Sequence, residues 1–309
     1  MKPGLSLSKR AALAASIAAV LVLAGCAAKT GAPGAETTPA AAAVKPAAAP
    51  AGTVLEYKMP AGRTLTYAAT DVMGQVMDVM GQTVGSDVKS GSTFTFSAKG
   101  KKDQNLLLGV TIDDMSMSVT GPMGDQSPDM SSVKGKSFEM VISPLGSEID
   151  VSGAEAITYP SPNGTGTSNV APGFKLFFPD LPGRPLKVGE TWTTNAATDD
   201  TSGGMNIKLG FAYVNTFEGL ETVDGMECAR IRSPYTSTIS GTGNQQGMDM
   251  VLTGTGKGTD VWYFAVKEGI YVKATSEAAY DISISVSAAN MTIAMTQTRK
   301  SDLKLVGKK

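Results

Sequence analysis

From Val54 onward, large apolar residues alternate with polar ones at a period of two, the signature of half-buried strands. Leu65/Tyr67/Ala69, Phe94/Phe96/Ala98, Leu106/Leu108/Val110/Ile112, Met115/Met117/Val119, Phe138/Met140/Ile142, Tyr280/Ile282/Ile284/Val286 and Met291/Ile293/Met295 each predict one strand face. Turn-forming residues separate these runs at 99–105, 121–129, 144–146, 241–247 and 254–258, which predicts antiparallel meanders. No window predicts a long amphipathic helix, and residues 174–178 read as a short turn or a strand. The fold class is therefore all-β.

Part of the pattern occurs twice. Gly62-Arg63-Thr64-Leu65-Thr66 matches Gly189-Glu190-Thr191-Trp192-Thr193 in its Gly-x-Thr-apolar-Thr core. Further on, Gly135 and Gly146 bracket Phe138/Met140/Ile142, as Gly258 and Gly269 bracket Val261/Tyr263/Ala265. Gly62 and Gly189 are expected to open a strand after a turn, and Gly146 and Gly269 to supply a positive φ in a hairpin. Duplicated antiparallel units follow, about 53–160 and 174–309, packed as a sandwich or as an open half-barrel.

Ahead of the β region lie two other kinds of sequence. Residues 1–25 hold Lys2, Lys9 and Arg10 and an apolar run from Ala11 to Leu23, too short for a stable transmembrane helix, and read as a removable signal. Leu23-Ala24-Gly25-Cys26 at its end resembles the lipobox of bacterial lipoproteins. The resemblance implies a diacylglyceryl thioether on Cys26, cleavage between Gly25 and Cys26, and acylation of the new amine. Two or three acyl chains, at about 0.8 kcal/mol per buried methylene, hold a protein on a membrane where a single chain is marginal. Ala27 rather than Asp after the cysteine favours the outer over the inner membrane, with the chain facing the periplasm. Residues 26–52 are rich in Ala, Pro and Thr, lack large apolar side chains and predict a disordered tether.

Gly62-Arg63-Thr64-Leu65-Thr66-Tyr67, the Pro144-Leu145-Gly146 turn and Leu186-Lys187-Val188-Gly189-Glu190-Thr191-Trp192 together resemble a family of bacterial envelope proteins with no assigned activity. The resemblance covers most of the β region. It implies an envelope location and carries no catalytic position with it.

Composition narrows the chemistry further. The chain has no histidine, which removes the commonest general base, the Ser-His-Asp and Cys-His arrangements and every His-containing metal site. Without residues 1–25 it carries 24 basic against 28 acidic side chains, a mild negative charge that implies no nucleic-acid partner. With Cys26 acylated, Cys228 has no disulfide partner and reads as a small buried residue.

The motif matches are incomplete. Ser131-Ser132-Val133-Lys134 and Lys29-Thr30-Gly31 occur in the reverse of the order that penicillin-binding enzymes use. Gly256-Lys257 lacks the first glycine and the Ser/Thr of a phosphate loop and reads as a turn. Asp113-Asp114 and Asp199-Asp200 point to opposite faces of a strand and cannot share a substrate there.

No catalytic residues, metal ligands or cofactor are therefore expected. Methionine is the remaining candidate, with 16 in the chain. Its thioethers fill irregular cores, and they also line adaptable pockets for hydrophobic ligands. If a cavity exists, Met73, Met115, Met117, Met140, Trp192, Trp262, Met291 and Met295 are its expected walls. Two functions fit: a non-enzymatic, membrane-anchored envelope protein that is structural or binds an envelope protein partner, and a carrier or chaperone of lipids or other hydrophobic ligands.

Overall fold

A computed structural model describes residues 52–309, except 80, 123, 162–165, 203, 246 and 288–289. The signal, Gly25, Cys26 and nearly all of the tether lie outside the described residues.

The main sheet is built from β1 (Thr64–Val79), β2 (Gln82–Lys102), β3 (Asn105–Thr120), β4 (Ser137–Ile142), β5 (Glu148–Asp150), β8 (Thr191–Ser202), β9 (Met205–Val223), β10 (Met226–Gln245), β11 (Met248–Ala265), β12 (Ile270–Val286) and β13 (Met291–Lys308). Its 11 strands are all antiparallel, in the order β5-β4-β3-β2-β1-β13-β12-β11-β10-β9-β8. The chain thus runs outward from the middle, crosses to the far edge and returns, so that β1 and β13 pair at the centre. The crossover carries a single 3-10 turn (Ser152–Ala156), a two-stranded sheet of β6 (Thr158–Pro160) and β7 (Thr167–Asn169), and one helical turn, α1 (Ala171–Phe174).

Alternation decides which face is inside. On β13, Ile293, Met295, Gln297, Arg299, Leu303 and Leu305 are buried, while Thr292, Ala294, Thr296, Thr298, Lys300, Asp302 and Lys304 between them are exposed. An outer face of Thr, Lys and Asp is the opposite of a lipid-facing barrel surface. Inner residues of β1 and β8 to β13, such as Met77, Ala196, Ile207, Ile239, Leu252, Ile284 and Ile293, pack into one cluster that receives only Leu176 from the crossover. The sheet is therefore rolled on its own face, which is the open half-barrel and not the sandwich.

The crossover fills the other end. Phe174, Phe177 and Phe178 insert between Phe94, Phe96, Tyr67 and Tyr57, with ring centroids 4.7 Å apart for Phe96–Phe177 and 5.3 Å for Tyr57–Phe178. Each fully buried aromatic contributes about 2–3 kcal/mol by area. Residues 53–59 close the same end as a strap. Thr53 exchanges two 2.8 Å backbone hydrogen bonds with Leu186, and the Tyr57 and Lys58 amides donate to Pro144 O and Gly269 O at the two hairpin tips.

The repeat is visible bond by bond. Arg63 N donates to Pro60 O and Ala98 N to Arg63 O, just as Glu190 N donates to Lys187 O and Phe217 N to Glu190 O. Gly62 and Gly189 both have φ of +87°. The second strand of each unit then bulges at Lys99 and at Glu218, each followed by a glycine of positive φ, Gly100 and Gly219. Gly146 and Gly269 also match as hairpin glycines at φ +98° and +66°.

Two sequence expectations are corrected. Residues 254–258, Gly256-Lys257 included, form no turn but lie in the middle of β11. Tyr235 and Tyr280 lay their rings where a Cβ on Gly258 or Gly256 would stand, so these glycines make room for aromatic neighbours inside a strand. For the same reason Gly258 is no counterpart of Gly135, which sits in a turn at φ +74°.

Candidate functional site

Between the two apolar clusters, the inner face carries a polar belt that crosses the sheet at one level. Asp71 faces Ser301, Ser301 faces Ser276, Ser276 faces Asp260 and Asp260 faces Ser233 across successive strands. From there Ser233 Oγ donates to Asn215 Oδ1 (2.7 Å), Asn215 Nδ2 donates to Thr194 Oγ1 (3.1 Å), and Trp262 Nε1 donates to Ser233 Oγ (2.8 Å). Arg299, only 9% exposed, donates from Nε to Asp71 Oδ2 at 2.6 Å and pairs with the same oxygen through Nη2. Buried charge of this kind survives only when paired.

Asp260 is the least satisfied member. It is 7% exposed, and its Oδ1 has no hydrogen-bond partner. Burial pushes its carboxyl up to about 6, against the opposing pull of the Ser276 hydroxyl and the Arg299 charge. A space of about 20 Å³ beside it, lined by Asn215, Ser233, Trp262 and Tyr271, has the size of one water.

A second space lies where the belt meets the crossover, a cavity of about 170 Å³ that is partly open to solvent. Its floor is Ala69 and Asp71 of β1, Ser90, Ser92 and Phe94 of β2, Met115 and Met117 of β3, Ser276 of β12, and Arg299 and Leu303 of β13. Tyr159, Val170, Phe174, Leu176 and Phe177 roof it, and Asp200 reaches it from the edge strand β8. The Asn169 side chain accepts the Ala171 amide (2.9 Å), with Pro172 following at the start of α1, and this stops β7 and turns the phenylalanines inward. Burial raises the Asp200 carboxyl, and burial with the Asp200 charge pushes the Tyr159 hydroxyl up to about 12.

Of the expected cavity residues, Met115 and Met117 line this space. Met73 and Met140 are buried in the core beneath the crossover. Met295 belongs to the second core, with Met291 packed against it. Trp192 and Trp262 meet edge to face at 6.2 Å on the same inner face, away from this cavity, and Trp262 borders the small space beside Asp260. Asp71, Asp200 and Arg299 were not among the expected residues. Their signal was present for Asp71 and Arg299, which are charged side chains on the core-facing parity of otherwise apolar strands.

The remaining candidates are scattered. Asp113 accepts from Thr95 Oγ1, whereas Asp114 pairs with Lys134 at 3.0 Å. Cys228 is fully buried and free, and burial pushes its thiol up to about 11. Among the described residues, no group of three or more His, Cys, Asp or Glu could hold a metal ion.

No protein-family model matches the chain, and no curated protein matches it. Among solved structures, a Bacteroides fragilis protein described as a candidate exported protein with a YmcC-like fold aligns at 8% identity and TM-score 0.26, over 83% of this chain and 99% of its own. A DUF1329 family protein from Desulfovibrio piger aligns at 9% identity and TM-score 0.17, over 77% and 85%. The COG4313 outer membrane channel from Pseudomonas putida aligns at 8% identity and TM-score 0.24, over 81% and 97%. Scores of this size establish no common fold.

Proposed function

We propose that this chain is a lipid-anchored, non-enzymatic protein of the bacterial cell envelope that acts by binding, with the cavity under the crossover as its binding site. The anchor reading rests on Leu23-Ala24-Gly25-Cys26 behind a basic and then apolar leader. It puts the β region in the periplasm, held on the outer membrane in preference to the inner. The observation that carries the binding reading is the cavity itself, which is roofed mainly by aromatic and aliphatic side chains, floored by serines and apolar side chains together, and walled by a largely buried ion pair. Its volume narrows the carrier alternative. An engineered cavity of about 150 Å³ holds one benzene, so a space of about 170 Å³ suits one ring or a short chain and not a whole lipid.

Two measurements test the reading. Intact-mass analysis of the native protein should show a diacylglyceryl-modified, N-acylated Cys26 at the amino terminus, and a Cys26→Ser form should leave the detergent phase. An unmodified thiol there overturns the anchor. Native mass spectrometry after gentle extraction should show a co-purified molecule of small mass, and a ligand-free protein that takes up no small amphiphile overturns the binding role.

A further inference from the structure

The lining of the cavity is unbalanced in charge. Asp71 and Asp200 stand against a single cation, Arg299, whose guanidinium is already engaged with Asp71. Asp200 lines the cavity half-buried; its carboxyl takes a hydrogen bond from the Thr201 amide, and its Oδ1 has no partner. The nearby cation that acts on it is Lys175, whose Nζ is held 3.5 Å from Glu155. A carboxylate oxygen buried without a donor is costly, and a ligand N–H placed beside it removes that cost. Most of the remaining lining is hydrocarbon, from Phe94, Phe174, Phe177, Met115, Met117 and Leu303, with the Ser90, Ser92 and Ser276 hydroxyls between them.

Resting on the binding role above, we propose that the cavity takes a small organic cation, an ammonium group carried on an apolar body of about one ring or six carbons, with Asp200 accepting the ammonium N–H and the phenylalanine and methionine side chains enclosing the body. A carboxylate or phosphate head is disfavoured by the same lining, and a neutral alcohol gains the apolar contacts alone.

The test uses the full acylated chain in lipid nanodiscs, with empty nanodiscs subtracted, and calorimetric titration of three probes with one tail: hexylammonium, hexanol and hexanoate. Hexylammonium should bind at least about tenfold more tightly than hexanol, and hexanoate more weakly than either. Asp200→Asn, checked for an unchanged circular dichroism spectrum, should bring hexylammonium to the level of hexanol. Hexanol or hexanoate binding as well as hexylammonium, or an unchanged preference in Asp200→Asn, overturns the assignment of the head group while leaving the binding role in place. Failure of all three probes overturns both.

Discussion

Asp260 offers the most direct test of how the belt is built. Its carboxyl is fully enclosed among Ser233, Ser276, Asn215, Trp262 and the more distant Arg299, and burial carries its pKa from an ordinary 3.8 to about 6. At about 1.4 kcal/mol per tenfold in proton affinity, this difference is worth roughly 3 kcal/mol. Because the folded value is the higher one, the stability linked to this group is fully present below pH 4 and is lost as pH rises through about 6. Asp260→Asn keeps the shape and removes the ionisation. The test is the difference in urea-unfolding free energy between the native chain and Asp260→Asn at a series of pH values from acid to mildly alkaline. Trp192 and Trp262, the only tryptophans, supply the fluorescence signal. Every other carboxylate cancels in that difference. The variant should gain on the parent by roughly 2–3 kcal/mol between about pH 4 and pH 7. A difference that stays flat across this range, or that favours the parent as pH rises, would falsify the claim that desolvation dominates at Asp260.

Three further outcomes follow from the geometry. Arg299→Ala leaves Asp71, with its side chain 17% exposed, unpaired and should cost about 2–3 kcal/mol, whereas Arg299→Met combined with Asp71→Leu should recover most of it; equal urea midpoints for the single and double variants would refute the pairing. Gly256→Ala drives a methyl group into the Tyr280 ring and should cost about 1–3 kcal/mol of stability in the same assay, while an exposed-position control such as Thr298→Ala should change little. Cys228, with its thiol held at about 11 by burial, should resist maleimide at mildly alkaline pH in the folded chain and react once in urea, giving one label per chain if Cys26 is acylated and two if it is not.

The strands were legible because burial on one face imposes a period of two, and Leu65/Tyr67 or Ile293/Met295 declare the inner face without help from the rest of the chain. The opening turns of the two units were legible as well, since Gly62 and Gly189 adopt a backbone conformation that few other residues accept. What failed was the inference from glycine to turn at residues 254–258. A glycine inside a strand looks the same in sequence as one at a corner, and the reason for it, two tyrosine rings from neighbouring strands, lies outside the local window. The site was harder still. Methionine pointed toward a cavity, but Met73 and Met140 are spent on ordinary core packing. Met115 and Met117 do line it, but the other walls come from the crossover phenylalanines and from charged residues that meet across the sheet, and no local pattern reports which distant strands become neighbours.

The central pairing of β1 with β13 has a consequence for how the molecule comes into being. Arg299 and Asp71 are partners 228 residues apart, so the first long strand to be synthesised waits for the last. Until β13 is in place, β1 and β12 each end their half meander in a bare row of amide and carbonyl groups, and the high sequence separation of the joining contacts makes closure slow. A nonsense codon ahead of Met291 removes one strand and, with it, the seam of the whole sheet, leaving two half-structures with sticky margins for chaperones to guard.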